Sequence, residues 1–356
     1  MEIKPKVTIH YIASELNITA STVSRALNNS PRISKATKNA VLKLAKQLNY
    51  QPNHLAAALR NGKSQIIGVI VPTVDRSFFA SVVRGIEEIA NQLNYKIIIC
   101  QSHDNYETEV QIVDTLFSAQ VDGIIASIAK HTKTYDHFEK AQMKGIPLVL
   151  FDRTTPDLEV NQVMIDNHLG AYQVVEHLIQ QNCKRIAHFT NNVKINIFEE
   201  RLRGYKDALK DHGIAVDESL IVESNLQLED GRKCMEELLT LDKLPDGIFS
   251  ASDHAILGAM QVLRERKIKI PEQIALAGFN NERFTDFSDP PITSVDQLSV
   301  EMGNITAKMF FEQLNSKNKE IRKVKKRLTP KLIIRDSSRR MGNGVVENLA
   351  EMKVCR

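Results

Sequence analysis

Residues 18–29 read ITASTVSRALNN, and this stretch decides how the N-terminal part of the chain is read. Four small residues, Thr-Ala-Ser-Thr at 19–22, come just before a single arginine, Arg25. A helix built for core packing would carry larger apolar side chains at its start. Hydroxyls, a methyl group and a guanidinium suit a helix that approaches a hydrogen-bonding surface closely, and the major groove of DNA is such a surface.

The residues on both sides of this stretch predict two further helices. Thr8 can cap a helix that runs to about Glu15, and Asn17 tolerates the left-handed backbone that a tight turn at 16–18 needs. Thr19 can cap the second helix, and Ser34 can cap a third at about 35–48. The inward faces of the three helices carry the apolar residues Ile9, Ile12, Ala13, Leu16, Val23, Ala26, Leu27, Val41, Leu42, Leu44, Ala45 and Leu48. Two short helices joined by a three-residue turn and braced by a third form a helix-turn-helix.

In a helix-turn-helix the first residues of the second helix reach the base edges of DNA. Ala20 and Ser21 are placed to do so, and Arg25 can donate two hydrogen bonds to guanine O6 and N7. The neighbouring hydroxyls suit phosphates, which set the register without reading sequence. The expected DNA-binding set of this region is Thr8, Thr19, Ala20, Ser21, Thr22, Ser24, Arg25 and Asn28. The alternative is a plain three-helix bundle with solvated Ser and Thr, which leaves unexplained why the small residues and the arginine share one exposed face.

The charge of the chain is unevenly distributed. The 356 residues carry a net charge of +4, but residues 1–64 hold ten Lys or Arg against two Glu, a net of +8 that leaves −4 for the rest. A basic head on a mildly acidic body is what a polyanion-binding head needs, although solvated lysines give the same count. The four cysteines are scattered and form no CxxC pair, so we expect reduced thiols and no zinc.

From residue 65 onward, short β-branched runs alternate with amphipathic helical patterns, which predicts parallel sheets covered by helices. The predicted strands are 66–71, 96–100, 123–127, 147–151, 185–189, 247–251 and 274–279. The predicted helices are 78–93, 106–119, 168–181, 198–212, 229–240 and 253–265. Ligands of such sheets bind outside the carboxyl ends of the strands, so the residues that follow each strand are the candidates for a binding site.

The side chains that follow these strands are polar and varied, with aromatic rings among them. Carboxylate, guanidinium and amide groups suit the hydroxyls of a sugar-like ligand, and an aromatic ring suits its C–H face. The predicted effector-binding residues are Asp75, Ser77, Phe78, Phe79, Ser127, Asp152, Arg201, Ser252, Asp253, Asn280 and Gln297. Two of these residues have a structural role as the alternative. Asp253 could cap the helix that it precedes, and Phe78 could be part of the hydrophobic core.

Three motifs carry a resemblance to a known family. They are TVSRALN at 22–28, S-x-x-T at 34–37 and NYxPN at 49–53, and the similarity continues to LIIRDSS at 332–338. The chain resembles the lactose-repressor (LacI) family of transcriptional regulators. Three positions depart from the family pattern: Asn17 where the family often has glycine, Ala20 at a base-reading position, and Asn280 where better-known members carry Asp. The last two mean that neither operator nor ligand can be copied from a relative.

The resemblance implies a fold and a division of the chain. It implies an N-terminal all-α helix-turn-helix headpiece (1–52), a hinge helix and linker (53–64) and an α/β two-subdomain periplasmic-binding-protein-like body (65–338) with Rossmann-like parallel sheets. The implied N-subdomain is about 65–161 plus 292–326, the C-subdomain about 162–291 plus 327–338, and the tail 339–356. In the hinge helix, Leu59 matches a leucine that wedges into the minor groove. The other hinge residues expected at DNA are Asn53, His54, Ala56 and Arg60.

The expected function is a cytoplasmic, nucleoid-associated regulator, a repressor of carbohydrate-metabolism genes. Its implied partners are a near-palindromic double-stranded DNA operator, a second copy of the chain in a homodimer and a sugar or sugar acid in the cleft. We expect no membrane partner and no cofactor. The sequence shows no GxGxxG, GxxxxGK[ST], HExxH or GxSxG motif, so we expect no enzyme.

Two rival functions remain open at this level. A periplasmic sugar receptor shares the two-lobed fold, and a doubly wound fold also hosts enzymes. The sequence does not decide whether the ligand releases or recruits DNA. The tail lacks sustained leucine heptads, which favours a dimer over a tetramer.

Overall fold

The structure, a computed structural model, describes residues 8–50, 63–193, 195–316 and 323–340. The chain divides into two compact units between Ser64 and Gln65. The predictions for Asn53, His54, Ala56, Leu59 and Arg60 of the hinge helix lie outside the described residues, as do those for the end of the tail.

Within residues 8–50 the first unit has three helices, each capped by a hydroxyl side chain. They are α1 (Ile9–Glu15), α2 (Ala20–Leu27) and α3 (Lys35–Gln47). The side chains of Thr8, Thr19 and Ser34 accept hydrogen bonds from the backbone N–H three residues on. All three predicted caps are therefore confirmed, and Asn17 has the expected left-handed backbone with φ of 52°.

Among the described residues of the headpiece, the core is built from residues 9–50. Ile12, Val23 and Val41, one from each helix, are fully buried at its centre, and Ala13, Ala26 and Ala45 fill the spaces around them. Leu42 is an exception among the predicted apolar positions, because 51% of it is exposed. The face of α3 that packs inward is therefore narrower than its leucines suggest.

The second unit is an α/β body of two lobes. In chain order its elements are β1 (Ile66–Val71), α4 (Ser77–Gln92), β2 (Lys96–Gln101), α5 (Tyr106–Ser118), β3 (Gly123–Ala126), α6 (Asp136–Met143), β4 (Leu148–Phe151), β5 (Asn161–Ile165), α7 (Asn167–Gln180), β6 (Ile186–Thr190), α8 (Asn196–Asp211), β7 (Ile221–Glu223), α9 (Leu228–Leu238), β8 (Gly247–Ser250), α10 (Asp253–Glu265), β9 (Ala275–Ala277), β10 (Ser294–Asp296), α11 (Ser299–Asn315), β11 (Lys325–Leu328) and β12 (Lys331–Ile333). Short 3-10 helices lie at Glu218–Leu220 and Arg283–Asp286.

Each lobe is organised around its own parallel sheet. The first lobe has six strands in the order β11-β5-β4-β3-β1-β2, and the second has four in the order β7-β6-β8-β9. All pairs within these two sheets are parallel. The antiparallel pair β10–β12 packs with the second lobe, where Val295 and Leu332 join its core. The predicted strands of the body are all present, with ends shifted by up to two residues.

The chain passes between the lobes three times, and each passage comes later than predicted. The predicted boundary at 161 cuts β5, whose backbone pairs with β4 and β11 of the first sheet through Ile165. The predicted boundary at 291 assigns β10 to the first lobe, although β10 packs with the second. The third passage lies between β11 and β12 rather than at 326. Hydrogen bonding of the strands, which the sequence pattern did not show, sets these boundaries.

Helices α9 and α10 of the second lobe approach each other backbone to backbone. A Cβ atom added to Gly231 would lie 1.9 Å from the carbonyl oxygen of Ala255, and one added to Gly258 would lie 2.0 Å from that of Leu228. Both carbonyl oxygens belong to the backbone, so no rotation of a side chain can make room for the added Cβ atom.

We therefore expect Gly231→Ala to lower the free energy of unfolding of the body by about 3 kcal/mol, as overpacking of a rigid contact does. The higher helix propensity of alanine favours the variant by only about 1 kcal/mol and does not reverse the sign. Urea unfolding would measure the change. Glu236→Ala, on the exposed side of the same helix, serves as the control and should change stability by less than about 0.5 kcal/mol.

Among the described residues no helix is long and apolar enough to cross a membrane. The three described cysteines, Cys100, Cys183 and Cys234, are free thiols. Within the same ranges no group of three or more His, Cys, Asp or Glu is arranged to hold a metal ion.

Candidate functional site

The exposed face of α2 carries the predicted DNA-reading side chains. Ser21, Arg25 and Asn28 are exposed and are spaced by four and three residues, so they lie along one face of the helix. Ala20 is half-buried beside them. Asn28 also ends the helix, where its amide donates to the carbonyl of Ser24 at 2.9 Å. This face offers a guanidinium, a hydroxyl and a methyl group to a surface that comes close.

Hydroxyls cluster at the start of α2. The Oγ1 atom of Thr19 lies 2.8 Å from Ser21 Oγ and 2.9 Å from Thr22 Oγ1, and it accepts the backbone N–H of Thr22 at 3.2 Å. The hydroxyls therefore hold one another in place at the positive end of the helix dipole, which favours a phosphate. Thr8 caps α1 in the same way, and Ser24 is half-buried within α2.

The second candidate site is a cavity of about 280 Å³ between the two lobes of the body. Its walls are formed by segments that follow the parallel strands, where ligands of such sheets bind. Eight of the eleven predicted effector residues line it: Asp75, Phe78, Phe79, Asp152, Arg201, Ser252, Asn280 and Gln297.

The other three predicted residues do not line the cavity. Ser127 is fully buried at the end of β3. Ser77 is turned to Glu282, whose carboxylate accepts hydrogen bonds from both its hydroxyl and its backbone N–H. Asp253 is fully buried and accepts from Ser294 Oγ at 2.6 Å and from the backbone N–H of Glu282 at 2.8 Å. These bonds face the protein interior, and Asp253 does not cap α10 through its side chain either.

Arg201 is fixed in the wall of the cavity by three acceptors. Its Nε donates to Asn167 Oδ1 at 2.9 Å, Nη1 to the carbonyl of Ala251 at 2.8 Å and Nη2 to Gln297 Oε1 at 3.4 Å. The guanidinium also stacks on Phe279, 3.7 Å from the ring centroid. Burial is the main cause that lowers the pKa of Arg201 to about 10, which leaves it charged at neutral pH. It is a preorganised cation.

A chain of polar contacts runs from Arg201 to Asn280. Gln297 accepts from Arg201 and in turn donates through Nε2 to Asn280 Oδ1 at 3.0 Å. The side-chain carbonyl of Asn280 therefore faces Gln297, and its amide nitrogen is the group left to donate. An aspartate at this position would offer only acceptors. The departure from better-known family members thus changes what the site can offer to a ligand.

Asp152 lies at the end of β4 in the left-handed region, with φ of 58°. It is almost fully buried, and burial raises the pKa of its carboxyl group. The nearby guanidinium groups of Arg153 and Arg201 act in the opposite direction.

Sequence reasoning missed several residues of the cavity wall. They are Arg76, His103, Asp104, Lys130, Asn225 and Gln227 among the ionisable and amide side chains. A signal for three of them was present, because His103 and Asp104 follow β2 and Lys130 follows β3. Inspection of the carboxyl end of every strand, rather than of some, would have found them.

Polar contacts join the two lobes beside the cavity. Arg76 of the first lobe donates to His254 Nδ1 and to Gln227 Oε1 of the second, both at 2.6 Å. Burial and the charge of Arg76 lower the pKa of His254, so its ring is neutral and Nδ1 can accept. The backbone N–H of Thr154 donates to Asn196 Oδ1 at 3.3 Å. The lobes are therefore held together by directional bonds that separation would break.

We expect a pH dependence of stability from Asp253. Burial is the main cause that raises its pKa from 3.8 to about 7, so the folded protein holds this proton more tightly than the unfolded chain. The free energy of unfolding should therefore fall as pH rises from about 4 to about 7, by up to about 1.4 kcal/mol per pH unit from this group. Asp253→Asn should remove this contribution.

Urea unfolding of both proteins at pH 5, 6, 7 and 8 measures the difference. Glu272→Gln, at an exposed carboxylate, is the control and should parallel the wild type. A constant difference between wild type and Asp253→Asn at all four values would show that Asp253 does not titrate in this window.

Comparison with known proteins identifies both parts of the chain. Residues 8–53 match the family model of bacterial regulatory proteins, lacI family, and residues 175–338 match a periplasmic binding protein-like domain. The chain is 31% identical to catabolite control protein A of Priestia megaterium over 87% of this chain and 93% of that protein. It is also 31% identical to the transcriptional repressor CytR of Escherichia coli K12, over 93% and 96%.

Solved structures share the fold. A complex of the transcriptional regulator CelR with cellobiose superposes with a TM-score of 0.71 at 26% identity, over 93% of this chain and 99% of that one. The lac repressor dimer bound to operator and the anti-inducer ONPF gives 0.83 at 21% identity, over 94% and 99%, a likeness of fold. With its helix-turn-helix, two-lobed body and extensive identity to curated regulators, the chain belongs to the lacI family of bacterial regulatory proteins, DNA-binding transcriptional repressors with an effector-binding domain.

Proposed function

We propose that the protein represses genes of carbohydrate metabolism and that a small sugar-like metabolite in the cleft controls its affinity for the operator. The observation that carries this is the pairing, in one chain, of an exposed recognition face on α2 with a polar cavity between two lobes. The solved complex of the regulator CelR with cellobiose supports a metabolite of this class. The action takes place at the nucleoid in the cytoplasm, and we assign no catalytic step to the cleft.

Control by a ligand requires two states that bind the ligand differently. The contacts of Arg76 with His254 and Gln227 hold the lobes in the arrangement seen here, and Asp152, Arg201 and Gln297 present groups from both lobes to one cavity. A ligand that bridges these walls stabilises this arrangement over an opened one. By linkage, the operator affinity then changes by the same factor as the ligand affinity.

A homodimer would place two headpieces on a near-palindromic operator. Exposed apolar side chains support self-association: Ile98 and Ile99, on opposite faces of β2, are 37% and 47% exposed, and β2 is a strand that ends its sheet. Exposed apolar side chains on an edge strand invite pairing with another chain. We place part of the dimer contact at this edge.

Selection of genomic DNA fragments by the purified full-length protein at near-physiological salt, followed by sequencing, tests the function. The expected result is enrichment of a near-palindrome whose neighbouring genes belong to one carbohydrate pathway. Adding the sugars of that pathway should then change the retained fraction of the enriched fragment. Absence of enrichment both with and without metabolites from a cell extract would rule out sequence-specific repression.

A further inference from the structure

The body of the chain is acidic overall, but one short segment of it is strongly basic. Residues 1–64 carry +8 and the whole chain +4, so residues 65–356 carry −4. Within them, residues 317–331 hold eight Lys or Arg against one Glu, a net of +7 that leaves −11 for the rest of the body. A concentration of one sign of charge on a surface of the other sign attracts a partner of opposite charge.

The described part of this segment forms one edge of the six-stranded sheet of the first lobe. Lys323 lies shortly before β11, and Lys325 and Lys326 are the first two residues of that strand. All three side chains are exposed, and no carboxylate within the described residues lies at ion-pair distance from any of them. Arg327 differs, because its Nη1 lies 3.7 Å from Asp166 Oδ2. We call Lys323, Lys325 and Lys326 the basic edge.

The direction of the strands places the basic edge at one end of the lobe. All strands of this sheet are parallel, so β11 begins at the same end as β1. The chain enters that end from the headpiece, because β1 begins at Ile66 and the two units divide after Ser64. In the sheet order β11 lies four strands from β1, which is about 19 Å at the usual spacing of strands. The basic edge is therefore at the end of the lobe opposite the cleft.

The residues that precede or begin the other strands at this end do not cancel the charge of the basic edge. Lys96 begins β2 and Lys144 lies before β4, and both are exposed. The carboxylates in the corresponding positions are Asp122 before β3 and Glu159 before β5. Asp122 is turned to the protein, where its Oδ2 accepts the backbone N–H of Gln65 at 3.0 Å. This end of the lobe therefore keeps an excess of positive charge that faces solvent.

Protection of the sheet edge is the simpler explanation of these lysines. Charged side chains on an edge strand prevent it from pairing with another chain. That function needs charge rather than one sign of charge, and it applies to the strand itself. It does not account for Lys323, which lies before the strand, or for the single sign of the charge along most of the segment 317–331. The excess of cations calls for an anionic partner.

We propose that the basic edge is a second DNA-binding surface, which contacts phosphates of the duplex that the headpiece binds. The family binds DNA, and a duplex presents a continuous row of phosphates beyond the bases that α2 reads. Lysines suit this role, since they are flexible point charges that contact phosphate without a fixed geometry. The proposal goes beyond the proposed function, because it concerns affinity for DNA of any sequence and does not depend on the metabolite in the cleft.

Fluorescence anisotropy of the full-length protein with a duplex of arbitrary sequence, measured at several salt concentrations, tests the proposal without an identified operator. The variant combines Lys323→Gln, Lys325→Gln and Lys326→Gln. Its slope of log affinity against log salt should be smaller in magnitude than that of the wild type by about 2.7, because each phosphate contact contributes about 0.9. The loss of affinity between about 50 mM and about 200 mM salt should then be about 40-fold smaller than in the wild type. Discrimination between the selected operator and scrambled DNA should not change, since phosphate contacts carry no sequence information.

The matched control removes three exposed lysines of the second lobe through Lys233→Gln, Lys243→Gln and Lys269→Gln. Its slope should equal that of the wild type, and so should the slope of a variant with arginine in place of each lysine of the basic edge. Melting temperatures within about 2 °C of the wild type ensure that folded proteins are compared. A slope that the glutamine substitutions in the basic edge do not change overturns the proposal and leaves an acidic protein as the partner that this charge would fit. An equal decrease in the control also overturns it, because net charge alone would then be responsible.

Discussion

Arg25→Ala is expected to reduce discrimination between the selected operator and scrambled DNA by about 10- to 100-fold. A bidentate contact between arginine and guanine is worth about 1–3 kcal/mol of preference for the right base. Arg25 is exposed in α2, one turn beyond the residues that begin the helix, and it is not part of the headpiece core. The substitution therefore removes a reading group without a cost in packing.

Fluorescence anisotropy with the two DNA duplexes measures both affinities for wild type and variant. Arg32→Ala, which removes an exposed arginine of the headpiece outside α2, is the control. It should leave the discrimination between the two duplexes unchanged, since Arg32 lies outside the reading face of α2 and a general loss of positive charge acts on both duplexes alike. Unchanged discrimination in Arg25→Ala, with ligand binding by the body intact, would show that α2 does not read bases through this side chain.

Arg201→Ala is expected to abolish the response of DNA binding to the effector and to destabilise the body by about 3 kcal/mol or more. Arg201 is 2% exposed, and its removal leaves Asn167, the carbonyl of Ala251 and Gln297 without their donor. An unsatisfied buried polar group costs about 1–3 kcal/mol. The loss of order in Gln297 and Asn280 would also disturb the ligand contacts that we place there.

Urea unfolding gives the stability, and DNA affinity with and without the effector gives the response. Arg203→Ala is a close control, because Arg203 lies in the same helix two residues further on and is exposed. It should change neither quantity appreciably. A stable Arg201→Ala protein with normal effector response would contradict the role that we give to this buried cation.

The elements with strong local signals could be predicted from the sequence. The three headpiece helices each begin with a hydroxyl residue that caps them, and the buried strands of the body are continuous β-branched runs. The elements that were missed carry weaker signals. β5 (NQVMI) begins with two polar residues that are nevertheless buried. The residue before α11, Leu298, adopts a left-handed backbone and offers no side-chain cap.

The position of the cleft could be predicted from the sequence, but several of its wall residues could not. The rule that ligands bind after parallel strands located eight wall residues correctly by position. That rule does not predict the direction in which a side chain points. Ser77 and Asp253 are both hydrogen-bonded to Glu282, which is close to them only in the folded protein. The contribution of loops such as 225–227 depends on the packing of the lobes and leaves no periodic pattern in the sequence.

The self-contained core of the headpiece has an evolutionary consequence. Among the described residues that core is formed by residues 9–50, whose side chains pack against one another. Mutations that redirect the protein to new target genes can accumulate on α2 without altering the cleft. Changes in the cleft can likewise bring the same target genes under the control of a new metabolite. Recombination between relatives near residue 64, where the two units divide, can therefore join the headpiece of one regulator to the ligand-binding body of another.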